Sequence, residues 1–394
     1  MQTSPPTRRQ WMARQLRLAS LGAWGAANLL APSAAQALPA RTLQFPRDFG
    51  SHPELRTEWW YITGHARAAG RLWGFQVTFF RSRVDVAQGL QSAFAAKQLL
   101  FAHAAITDVQ GQRLLHGQRI ARAGFGVAEA SEADTRIRLQ DWTLERADMG
   151  GAESGALAGA NASTAAIAHA KPRSRYTARV VDTGFALDLR FDTMQPLLLQ
   201  GHQGLSRKGP QAEQASYYYS QPQMQVAGDI TVDGQRLAVA PGTGRAWMDH
   251  EASEALMHPE AVGWDWIGMN LHDGTALTAF RLRRADGSAL WAGGSVRAPG
   301  QAVQVFGAED VGFTPLRWWT SPRSGARYPV EWRVRTPAGS FAVRTLLDAQ
   351  ELDSDGSTGA IYWEGLSDLH GPGGERVGRG YLEMTGYARA LKLG

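Results

Sequence analysis

At 394 residues the chain is too long for one ordinary domain and suits two, and its 44% hydrophobic content is that of a globular protein. It has no cysteine, which excludes disulfides, thiolate metal sites, iron–sulfur clusters and a cysteine nucleophile. Four arginines and no acidic residue fall within positions 1–37, so the net charge of +5 shrinks to 37 basic against 36 acidic residues beyond them, with no global drive toward nucleic acid.

That first segment reads as a bacterial export signal. Thr7-Arg8-Arg9-Gln10-Trp11-Met12 has the twin-arginine pattern, a modestly apolar stretch runs from Leu18 to Ala31, and Ala35-Gln36-Ala37 is an A-x-A cleavage site. The expected mature chain starts at Leu38 and lies in the periplasm. No later apolar run approaches the ~18 residues needed to span a bilayer as a helix.

Glu58-Trp59-Trp60-Tyr61-Ile62-Thr63-Gly64-His65 and Leu72-Trp73-Gly74-Phe75-Gln76-Val77-Thr78-Phe79-Phe80-Arg81 are rich in aromatic and β-branched residues and flank a Gly-containing turn. They predict an antiparallel hairpin. Alternation gives the second strand a core face of Trp73, Phe75, Val77 and Phe79. Its other face, Gly74, Gln76, Thr78 and Phe80, suits the wall of a ligand cavity.

Residues 99–106 read as a further strand. In residues 149–168, 14 of 20 are Ala, Gly or Ser, a composition that predicts a flexible surface insert. Strands resume at 176–181 and 185–191. The run Tyr217-Tyr218-Tyr219 alternates, so Tyr218 faces opposite to its neighbours. A domain junction is expected near Pro222, dividing 38–222 from 223–394. Gly263-Trp264-Asp265-Trp266-Ile267-Gly268, an Asp273-Gly274 turn and Leu277–Arg283 then echo the first hairpin, each second strand carrying a Phe-Arg pair, Phe80-Arg81 and Phe280-Arg281. Many short strands with regular turns predict an all-β chain of two antiparallel barrels.

Phe45-Pro-Arg-Asp48, Glu58-Trp-Trp-Tyr61-x-x-Gly64-His65, Trp247-x-Asp249-His250-Glu251 and Gly263-Trp-Asp-Trp266 together resemble the AttH/CrtC group, lipocalin-like proteins related to carotenoid 1,2-hydratase. The resemblance spans roughly 41–390. It implies two lipocalin-like barrels packed together with a hydrophobic ligand site. In the hydratase branch the pattern is Tyr-x-Asp-x-Asn, its Asp serving as acid and base. Asp249 matches that position, whereas Trp247 and Glu251 depart from the pattern.

The residues themselves leave alternatives open. Asp249 in an apolar pocket would have a raised pKa and suit proton transfer; the alternative is a structural pair with Arg245. His250 and Asp265 are the other catalytic candidates, Asp265 pointing either into the cavity or to a salt bridge. Glu58, Trp60, His65, Gln76, Tyr218, Trp247 and Trp264 are candidates for the ligand wall, Glu58 otherwise pairing with an arginine such as Arg81. His65, His103 and His250 have no close H-x-H or H-x-x-x-H partner, so neither metal nor cofactor is expected. The expected function is an exported protein that binds an apolar, isoprenoid- or lipid-like molecule; whether it is an enzyme is left open, and if it is one, the resemblance implies a hydro-lyase acting through Asp249. The alternatives are a non-catalytic periplasmic accessory of an ABC transporter and a metal-dependent hydrolase.

Overall fold

The computed structural model describes residues 37–150 and 173–391. The expected signal segment, apart from Ala37, and the expected insert, apart from its first two residues, lie outside the described residues. Among the described residues there are 24 strands, two short 3-10 turns and no α-helix.

One sheet begins with β1 (Thr57–Ala68), β2 (Arg71–Arg83), β3 (Gln98–Asp108), β4 (Arg113–Arg122), β5 (Ala128–Ala130), β6 (Arg136–Leu139) and β7 (Trp142–Asp148). It continues with β8 (Ser174–Asp182), β9 (Phe185–Asp192), β10 (Leu198–Leu199), β11 (Leu205–Arg207), β12 (Ala215–Val232), β13 (Gln235–Ala238) and β14 (Arg245–Ser253). The second sheet takes β15 (Gly263–Leu271), β16 (Ala276–Arg283), β17 (Ala289–Arg297), β18 (Gln304–Phe306) and β19 (Gly312–Thr320). It is completed by β20 (Arg327–Thr336), β21 (Gly339–Thr345), β22 (Glu351–Ser354), β23 (Ala360–His370) and β24 (Arg376–Met384).

The first sheet runs β4-β3-β2-β1-β14-β12-β9-β8-β7-β6-β5, and β6 returns to β3 and β4, so it curls into a nearly closed antiparallel barrel. The second runs β18-β17-β16-β15-β24-β23-β21-β20-β19. In each, the opening hairpin strand pairs with the last long strand: β1 with β14, β15 with β24. The hairpin echo therefore has a structural counterpart. Glu58 lies opposite Arg81 and Asp265 opposite Arg281, and both cross-strand pairs close as salt bridges on buried carboxylates, at 2.8 and 2.7 Å.

The sheets change between Ser253 and Gly263, not near Pro222. Pro222 sits inside the continuous β12, where the register with β14 shifts between Gln221 and Met224 and Gln223 takes φ 58°. A proline cannot donate to a ladder, so within a long strand it marks a bulge.

Alternation along the strands builds two filled interiors. Trp60, Ile62, Trp73, Phe75, Val77 and Phe79 pack inside the first barrel; Ile267, Met269, Tyr328, Trp332, Trp363 and Leu382 pack inside the second. A third cluster, including Tyr61, Trp247, Trp266, Phe280, Leu366 and Tyr381, joins the two sheets. Each fully buried large side chain contributes roughly 1.5–3 kcal/mol. Both interiors are occupied by side chains, and the space for a ligand lies between the barrels.

The close approach of β15 and β24 depends on glycine. A Cβ on Gly380 would lie 1.9 Å from the Gly268 carbonyl oxygen. Backbone cannot retreat cheaply, so Gly380→Ala is expected to cost about 1–3 kcal/mol through overpacking. Chemical denaturation measures this, and an unchanged midpoint would refute it.

Candidate active site between the barrels

A cavity of about 640 Å³ opens between the sheets. The first sheet contributes Trp59, Tyr61, Thr78, Phe80, Tyr218 and Asp249; the second contributes Trp264, Trp266, Phe280, Tyr362, Glu364 and Glu383. Its position follows from strand parity. On β14, Met248 packs in the first barrel's core, while Trp247, Asp249 and Glu251 face the second barrel. On β2, Thr78 and Phe80 face the cavity while Val77 and Phe79 face the core.

Asp249 is buried and receives three hydrogen bonds. Tyr218 Oη donates to Oδ2 at 2.7 Å, and Ser220 Oγ and Trp247 Nε1 donate to Oδ1 at 2.5 and 2.7 Å. Both hydroxyls are oriented from behind. Trp266 Nε1 donates to Tyr218 Oη at 3.3 Å, and Gln200 Nε2 donates to Ser220 Oγ at 2.8 Å. Ser295 Oγ in turn donates to Gln200 Oε1 at 2.7 Å. Burial raises the Asp249 pKa, the three donors oppose it, and the result is about 7. A carboxyl poised there can give and take a proton near neutral pH.

Glu364, Glu383 and Lys208, also on the cavity wall, have no counterpart among the candidates read from the sequence. Glu364 and Glu383 are directly paired across β23 and β24. Burial, and then the charge of Glu383, holds Glu364 well above the usual carboxylate range; burial pushes Glu383 up to about 8 against a hydrogen bond from Trp264. Lys208, in the loop after β11, reaches Glu251 at 2.9 Å, its ammonium 4.4 Å from the Tyr218 ring centroid and 4.5 Å from that of Phe280. The signal for the two glutamates is present but faint. Each is a lone carboxylate in an apolar strand, in Tyr362-Trp363-Glu364 and Tyr381-Leu382-Glu383.

The structure divides the residues singled out from the sequence. Asp249, Tyr218, Trp247 and Trp264 come together, three lining the cavity and Trp247 bonding to Asp249. Asp265 lies off it, held by Arg281 at 2.7 Å, Arg283 at 3.1 Å and the Tyr387 hydroxyl at 2.8 Å. Gln76 is buried beside Thr78, to which its amide donates, and is not on the wall. His65 is also off the wall; burial, then the charges of Arg379 and Arg245, depresses its pKa to about 3.

His250 and Trp60 point the other way, into the first barrel. Their rings stack at 4.7 Å. His250 meets Tyr219 Oη at 3.0 Å and Glu58 at 2.9 Å. Glu58 reaches the cavity's edge but is committed to a buried ionic network: His52 Nδ1 at 2.7 Å, Arg81 at 2.8 Å and the His52 backbone N–H. Burial acts to raise its pKa, yet bonds from His250 and His52 and the Arg81 charge hold it well below the ordinary value.

His52, Glu58 and His250 place potential ligand atoms within 4.8 Å of one another, the spacing of a metal site. Both ring nitrogens of His52 face carboxylates, Glu58 and Asp48, the latter at 2.8 Å. Burial would lower its pKa, but those two bonds raise it to about 9, so at neutral pH both ring nitrogens donate to carboxylates. The cluster is an ion-pair network that ties the segment before β1 to the barrel.

Residues 36–387 match the AttH-like family. The chain belongs to that family. A crystal structure from Nitrosomonas europaea described as an AttH shares 41% identity and a TM-score of 0.77, covering 90% of this chain and 99% of that one. Kievitone hydratase from Nectria haematococca has the same fold at 13% identity and TM-score 0.63, covering 88% and 94%. CghA with Sch210972 does so at 14% identity and TM-score 0.52, covering 86% and 89%. Comparison with curated proteins returned no sequence match. The AttH-like fold thus spans nearly all of the chain beyond residue 35, and the inter-barrel cavity belongs to both of its sheets.

Proposed function

We propose that this AttH-like protein binds an apolar ligand between its barrels and transfers a proton to or from it through Asp249, the chemistry of a hydro-lyase. The observation that carries the reading is a buried carboxyl, with a pKa of about 7, set against an aromatic wall on a 640 Å³ cavity. In hydration, protonated Asp249 gives its proton to one alkene carbon, and the π pair becomes the new C–H bond. Trp59 and Trp266 line the same cavity, and aromatic rings there would stabilise the resulting cation. Water adds its oxygen to the cationic carbon and returns a proton to the Asp249 carboxylate. Alkene and water become alcohol, and the enzyme is regenerated. The name of the similarly folded kievitone hydratase is consistent with such chemistry.

The test uses protein purified from its own periplasm, whose ligand is extracted, identified by mass spectrometry and returned to the protein in D2O. Solvent deuterium on carbon, or a mass gain of one D2O, supports the reading. A cavity that purifies empty, with no incorporation into added apolar alkenes, favours the accessory role beside an ABC transporter instead. The periplasmic location is proposed from Arg8-Arg9 and Ala35-Gln36-Ala37.

A further inference from the structure

The charges around the cavity do not balance. Glu58 is matched by Arg81, and Glu251 by Lys208. Arg389, at the rim, is paired with Asp355, and buried His103, meeting Tyr362 Oη at 2.8 Å and Ser357 Oγ at 2.9 Å, is kept neutral by burial with a pKa of about 3. The phenols of Tyr61, Tyr218 and Tyr362 are all pushed up by burial and stay uncharged. Asp249, Glu364 and Glu383 remain, and among the described residues none of the three has a cationic partner. Glu364 is 3% exposed, lines the cavity, and its Oε1 lacks a hydrogen-bond partner.

Buried carboxyls without cations are costly, and the unliganded protein relieves the cost by keeping protons on them. A positive ligand would relieve it as well. The site already holds one such group: the Lys208 ammonium rests between the Tyr218 and Phe280 rings. Trp59, Trp264 and Trp266 supply further aromatic surface on the same wall. Aromatic faces with nearby carboxylates are the arrangement that recognises an ammonium group on an apolar body.

We propose that the cavity takes a ligand whose apolar body carries a positive charge, a protonated or quaternary amine, and that its binding drives a proton off the Glu364–Glu383 pair. This rests on the reading of the cavity as a ligand site. The proton passes from a carboxylic acid to the buffer, and the carboxylate left behind neutralises the ligand. A cation favours the ionised form, so its affinity rises with pH through the range set by Glu383, near 8.

The test compares benzyltrimethylammonium with its neutral isostere neopentylbenzene, by tryptophan fluorescence and by calorimetry in phosphate and Tris. The cation is expected to bind about tenfold tighter at pH 8.5, to lose most of that advantage at pH 6, and to release protons on binding, seen as a buffer-dependent heat. Glu364→Gln with Glu383→Gln should bring the two affinities close together. Lys208→Met, which frees Glu251, should widen the gap, an opposite effect that a general loss of structure cannot produce. Equal affinities in the native protein, or a preference independent of pH, overturns the inference while leaving the apolar-ligand reading intact. Failure of both probes to bind overturns both.

Discussion

Asp249→Asn is expected to yield a folded protein that still takes its ligand but has lost turnover by a factor on the order of 10²–10⁴, the usual contribution of a positioned general acid. The variant keeps the shape of the side chain and removes its proton. The surrounding bonds predict a modest structural cost. All three partners of Asp249 are donors, and two are held as donors by groups behind them. An asparagine can offer its oxygen to Trp247 and Ser220, but its NH2 then meets Tyr218, whose own proton loses its acceptor. One neutral hydrogen bond of this kind is worth about 1 kcal/mol. Thermal unfolding should therefore shift slightly while deuterium incorporation from D2O disappears. In the native protein a rate that needs the acid form should fall as pH rises through about 7. A well-folded Asn variant with full turnover would remove Asp249 from the mechanism.

Glu58→Gln is expected to cause the largest loss of stability. Glu58 is the anionic centre between Arg81 and the His52 imidazolium, and its side chain is fully buried. Removing one charge from a buried pair leaves its partners uncompensated and costs about 3–5 kcal/mol. The same network sets a pH window. His52 has a folded pKa of about 9, above its ordinary 6.5, so its contribution is full below 6.5 and disappears as pH rises through 9. Glu58 is shifted the opposite way, so its contribution is present above 4.5 and is lost on acidification. Denaturant titrations across pH should show the native protein weakening at the alkaline end and the variant doing so much less. A variant within 1 kcal/mol of native would show that the network is energetically idle.

Much of this architecture is legible in local sequence. The β1–β2 hairpin, the opposed faces of β2, the inward Tyr218 and the two acid–arginine pairs at its echo all depend on alternation, which has a period of two and acts over a few residues. The inter-barrel assembly does not. Asp249 acquires its surroundings because β14 pairs with both β1 and β12, placing it opposite Tyr61 and Ser220. Glu364 and Glu383 reach the same space from the far end of the chain. His250 shows the limit of reading by proximity. Next to Asp249 in sequence, it faces the other side of the strand and belongs to a different network. Pro222 shows another limit, since the bulge in a long strand carries the same punctuation as a linker.

Placing the pocket outside the two cores separates two selective demands along a single strand. On β14, even-numbered residues answer to the packing that keeps the barrel folded, while Asp249 and Glu251 answer to whatever molecule the protein meets. Substitutions on the second set can accumulate without eroding the first. A lineage built on this scaffold can change chemistry by rewriting alternate letters, and relatives with little overall identity can keep one backbone while diverging in what they hold.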